Sequence, residues 1–73
     1  MAEVRVKSEI TGKVWMIEAK AGDKVAEDDP IVVLESMKME IPVGAPVDGT
    51  VKEILVAEGD TVQEGDEVAV MDG

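Results

Sequence analysis

The sequence predicts an all-β fold: two small four-stranded antiparallel sheets packed face to face and related by a pseudo-twofold axis. Three observations predict it. The 73 residues hold 13 Val and five Ile against two Leu, and β-branched side chains pack well on a pleated surface. The chain repeats itself at a spacing of 37 residues. No stretch has a convincing 3.6-residue period, whereas short alternating and continuous apolar runs recur.

The repeat is ungapped. Gly12 falls on Gly49, Val14 on Val51, Ile17 on Ile54, Gly22-Asp23 on Gly59-Asp60 and Val25 on Val62. Glu27, Asp29 and Val33 then fall on Glu64, Asp66 and Val70, giving nine identities over the 24 positions 12–35 and 49–72. Upstream, Val4 meets Ile41 and Val6 meets Val43. A repeat of this kind is one supersecondary unit used twice.

Each element has its own cause. Val4 and Val6 alternate with Arg5 and Lys7, the period of a half-buried strand. Gly12-Lys13-Val14-Trp15-Met16-Ile17 is a second strand, with Gly12 and Gly49 as backbone positions and Trp15 partly buried. Gly22-Asp23 and Gly59-Asp60 are turns, because Gly supplies a positive φ and Asp bonds its own backbone. Asp28-Asp29-Pro30 closes a short third element, and Glu64-Gly65-Asp66 closes its copy. Ile31-Val32-Val33-Leu34 and Val68-Ala69-Val70-Met71 are continuous apolar runs, suited to strands covered on both faces. Pro42 and Pro46 confine their segments to edges or bends. The chain is a single domain, 1–73, with repeats of about 4–36 and 41–73 joined by a hairpin at 37–40.

Composition excludes much. There is no Cys and no His, so thiol chemistry, neutral-pH proton shuttling and most zinc sites lose their usual residues. Seventeen acidic residues against seven basic give a net charge of −10. That charge opposes nucleic acid and anionic membranes alike. No apolar run approaches a membrane span, and the first residues lack the apolar core of a signal peptide. The expectation is an intracellular, cytoplasmic monomer that is not an enzyme. Glu27-Asp28-Asp29 reads as a solvated loop, since calcium loops need longer, defined ligand spacing.

The repeat leaves Met37-Lys38-Met39-Glu40 unused. A turn is an ordinary place for lysine. Two exposed methionines beside it are not ordinary, because they cost solubility and suit adaptable contacts. Glu35-Ser36-Met37-Lys38-Met39 resembles the Glu-Ala-Met-Lys-Met motif of the biotinyl/lipoyl attachment domain family, and the resemblance covers the whole chain. It implies a flattened barrel or sandwich (a barrel-sandwich hybrid) of the biotin carboxyl carrier type. Lys38 would then carry biotin on its ε-amine. Met37 and Met39, with Glu35 and Ser36, would be recognised by the partners: a biotin protein ligase, a biotin carboxylase and a carboxyltransferase. The gapless shift leaves no room for the protruding thumb of some bacterial carriers. Ser36 replaces the commoner Ala and resembles the Thr of the lipoyl motif, so lipoate and a lipoyl ligase form an alternative within the family. An unmodified β-sandwich used as an interaction module is the alternative of another class.

Overall fold

The computed structural model describes residues 3–73. Its strands are β1 (Glu3–Lys7), β2 (Gly12–Ile17), β3 (Lys24–Val25), β4 (Pro30–Ser36), β5 (Met39–Gly44), β6 (Gly49–Ile54), β7 (Thr61–Val62) and β8 (Glu67–Asp72). They form two antiparallel four-stranded sheets, ordered β1-β8-β6-β3 and β5-β4-β2-β7. Both sheets keep open edges, so the fold is a sandwich and not a closed barrel. Each sheet takes two strands from each repeat. β3 leaves its own half to pair with β6, and β7 leaves its half to pair with β2.

The two continuous apolar runs become the inner strands β4 and β8. Ile31, Val32, Leu34, Val68, Ala69 and Met71 have no exposed surface. Apart from Ala69, each of these buried side chains contributes roughly 1.5–3 kcal/mol through burial. Pro42 lies in β5, an edge strand, where its missing N–H breaks no ladder.

Exchange of strands is secured by four turns of one design. In each, the fourth residue is Asp: Asp23, Asp29, Asp60 and Asp66. Its backbone N–H donates to the carbonyl three residues earlier, at 2.9–3.0 Å. Its carboxylate accepts from that residue's N–H, at 2.9–3.1 Å. The third residue is left-handed: Gly22, Gly59 and Gly65 have φ of 96°, 92° and 90°. Asp28 fills the place of Gly65 in the first copy, at φ 73°, as Asp tolerates this region better than most residues. The turns then reach across the halves. Gly22 N–H donates to the Val51 carbonyl and Gly59 N–H to the Val14 carbonyl, at 2.7 and 2.8 Å.

Candidate functional site

The join between repeats is a tighter hairpin than the expected four residues. Ser36 pairs with Met39 and Glu35 with Glu40, so only Met37 and Lys38 are unpaired. Both are left-handed, with φ of 52° and 64°. A two-residue loop with both central φ values positive has the twist of a type I′ turn, which matches the flanking strands but favours Asn-Gly. Methionine and lysine are poor residues for it, since each Cβ crowds its own backbone there. The side chains gain nothing locally in return. Met37 is 92% exposed and Met39 63% exposed. Lys38 is exposed and, among the described residues, has no hydrogen-bond or ion-pair partner.

Of the expected recognition residues, Glu35 is exposed and Ser36 half-buried. They end β4 as Met39 opens β5, so all five motif residues sit on one strand pair. Register carries the row across the sheet, with Lys13 opposite Glu35 and Glu35 opposite Glu40.

The surroundings supply no chemistry of their own. A cleft of about 460 Å³ lies between β1 and β5, lined by Val6, Ile10, Ile41 and Val43 among others. Lys38 is not part of it. Among the described residues no group of three or more His, Cys, Asp or Glu could hold a metal ion. Asp29 instead caps its turn, and the Glu27 N–H donates to Asp48 Oδ1 at 2.6 Å. Ionic structure is concentrated on the outer face of the other sheet. There the hydrogen bond from Lys52, then the charge of Arg5, holds the Glu3 carboxyl below its ordinary range. Hydrogen bonding to Glu67 and Glu3 raises Arg5 and Lys52 in turn.

Trp15 is partly buried, as expected, with 45% of its surface exposed. The register of β2 against β4 shifts between Val14 and Met16, so Trp15 is a bulge residue, turned outward. The same irregularity lies between Val51 and Glu53 of β6, around Lys52. The 37-residue shift sets Trp15 on Lys52, which was the available signal that this position faces solvent.

The all-β sandwich thus presents on its central hairpin a lysine that has no hydrogen-bond or ion-pair partner among the described residues. A family model described as Biotin-requiring enzyme matches residues 2–71, and the chain belongs to this biotin/lipoyl family. It is 46% identical over 61 residues to the Biotin/lipoyl attachment protein of Bacillus subtilis, covering 84% of each chain. It is 46% identical over 66 residues to the Biotinylated protein TB7.3 homolog of Mycobacterium leprae, covering 90% of this chain and 93% of the other. Its fold matches part of the crystal structure of Kluyveromyces lactis Urea Carboxylase with a TM-score of 0.92 and 40% identity, over 99% of this chain and 6% of that one. The chain is therefore a biotin/lipoyl attachment domain, homologous to the carrier domains of carboxylases. Among the described residues no helix is long and apolar enough to cross a membrane.

Proposed function

We propose that the chain is a biotin carrier, acylated on Lys38 by a biotin protein ligase and serving a biotin carboxylase and a carboxyltransferase. The observation that carries this reading is the tip itself: an exposed lysine without a partner, between two exposed methionines, on a turn both of whose residues are left-handed. Acylation of a lysine requires an accessible amine that is not held in an ion pair, and Lys38 meets that requirement among the described residues. The Lys38 amine gives up a proton to the ligase, and its nitrogen forms an amide bond to the biotin carboxyl as the activating adenylate leaves. When bound, biotin supplies a ureido nitrogen that takes up and releases a carboxyl group.

The rest of the work belongs to the chain. The sandwich holds Lys38 outward and keeps the arm near its partners, which raises its effective concentration at both active sites. Met37 and Met39 offer flexible apolar contacts that different pockets can accept. The proposed working form is a cytoplasmic monomer; a net charge of −10 repels like copies. Glu35 and Ser36 also suit a lipoyl ligase, so lipoate is the second acyl group to test on Lys38. The test of carriage is transfer. Biotinylated chain, incubated with a biotin carboxylase, ATP and labelled bicarbonate, should become labelled, and Lys38→Ala should not. Equal labelling of both proteins would refute the reading.

A further inference from the structure

The pseudo-twofold axis makes the molecule its own control. The 37-residue shift sets Glu3 on Glu40, Arg5 on Pro42, Trp15 on Lys52 and Pro30 on Glu67. On the outer face of the β1-β8-β6-β3 sheet these positions form one ionic chain. Lys52 Nζ lies 3.1 Å from Glu3 Oε2, Arg5 Nη2 lies 2.8 Å from Glu3 Oε1, and Arg5 Nη1 lies 2.9 Å from Glu67 Oε1. On the sheet that carries the hairpin, the same four places hold Glu40, Pro42, Trp15 and Pro30. Met16 pairs with Val33 there, where Glu53 pairs with Val70. One face thus carries a chain of ion pairs, while its twin carries Trp15, Pro42 and Pro30 beside Glu40, on an otherwise repeated backbone.

The Trp15 face has two properties of an interface. It leaves Trp15 45% exposed, and tryptophan is the residue most enriched at binding hot spots. It is also continuous with the tip, because β4 and β5 lead directly into Met37 and Lys38. At the border Glu35 lies directly opposite Glu40, and like charges so placed repel. Among the described residues neither has an ion-pair partner. Lys13 lies opposite Glu35 on its other side, so a cationic partner surface would act chiefly on Glu40.

We infer that this outer face, centred on Trp15 with Met16 and Pro42, is the docking surface for the biotin protein ligase, which presents an apolar shelf edged by lysine or arginine toward Glu35 and Glu40. The inference rests on the reading of Lys38 as the acylated residue. A protein that closes over the tip from this side lies along this strand pair, whose outer face has no second sheet over it.

The test is steady-state biotinylation of the full chain by a purified bacterial biotin protein ligase, with biotin, ATP and Mg²⁺, followed by intact mass over a range of carrier concentrations. Trp15→Lys installs the residue of the twin position. It should raise KM by about tenfold or more, as loss of an interface tryptophan does, with kcat within about twofold. Lys52→Trp should leave both constants within about twofold of wild type. Circular dichroism confirms folding, and Trp15→Thr carries the test if Trp15→Lys unfolds. A wild-type KM for a folded Trp15 variant would overturn the docking surface and leave carriage standing. Failure of wild type to take any biotin would overturn the carrier reading itself. A wild-type dimer in sedimentation that Trp15→Lys renders monomeric would assign the face to a second copy and overturn the ligase.

Discussion

The hairpin tip is predicted to be a built-in weakness, and replacing it should stabilise the protein while ending its function. Met37 and Lys38 both stand in the left-handed region, which costs an L-residue with a Cβ roughly 1–2 kcal/mol. The pair therefore stores on the order of 2–4 kcal/mol. Neither side chain offsets this by packing or pairing, since Met37 is 92% exposed and Lys38 lacks a partner. Met37→Asn with Lys38→Gly installs the dipeptide that this turn favours. The glycine gives back about 0.5–1 kcal/mol through the greater freedom of its unfolded chain, and asparagine keeps a share of the strain. The net gain should be about 1–2 kcal/mol, which for a domain of this size raises Tm by roughly 5–10 °C. Thermal unfolding followed by circular dichroism, with the urea midpoint as a second measure, reads it directly. A Tm equal to or below that of wild type would refute the claim that the tip is strained. Met37→Asn alone, with Lys38 retained, should show a smaller gain.

Three further outcomes are expected. Met37→Asp with Met39→Ala should lower biotinylation by tenfold or more, about 1.4 kcal/mol in transition-state binding, and raise lipoylation; equal biotin uptake, measured by intact mass after co-expression with each ligase, would remove the methionines as determinants. Gly59→Val should cost about 1–3 kcal/mol, because a β-branched residue is strained at φ 92° even though a Cβ there meets open space; an unchanged Tm would contradict this. The Glu3 carboxyl is held low when folded, so its ion pairs stabilise above the ordinary carboxylate range and are lost as pH falls through the lowered value. The Tm difference between wild type and Glu3→Gln should accordingly be small at neutral pH, as for exposed pairs generally, and vanish once pH has fallen through the lowered value. A difference that persists there would show another cause.

Much of the fold was legible in the residues, for identifiable reasons. The repeat appears as identities at Gly12/Gly49, Gly22-Asp23/Gly59-Asp60 and Val33/Val70, because each marks a backbone or core position both halves need. The runs Ile31–Leu34 and Val68–Met71 read as buried strands, and each is one of the two inner strands of its sheet, buried at every position. Pro42 read as an edge residue and occupies one. The exchange of β3 and β7 between halves was not legible, since a repeat gives the units and not their pairing. Tip geometry was hidden for the opposite reason. Met37-Lys38 contradicts the composition of the turn it makes, and local rules fail where function sets the residue. Asp28 was hidden too, standing where its copy has Gly65. Trp15 follows the buried Val14 and faces outward by strand alternation, with more than half of its surface covered; its alignment with Lys52 marks the same outward position in the copy.

The central claim is that Lys38 alone receives the acyl group. Its direct test is peptide-level mass spectrometry of the chain after co-expression with a biotin protein ligase, beside Lys38→Arg under the same conditions. One biotinyl group per wild-type chain, located on Lys38, is expected, and none on the folded variant. The other five lysines, at 7, 13, 20, 24 and 52, should remain free. Biotin on any of those five in the wild type, or on the Lys38→Arg protein at all, would contradict it.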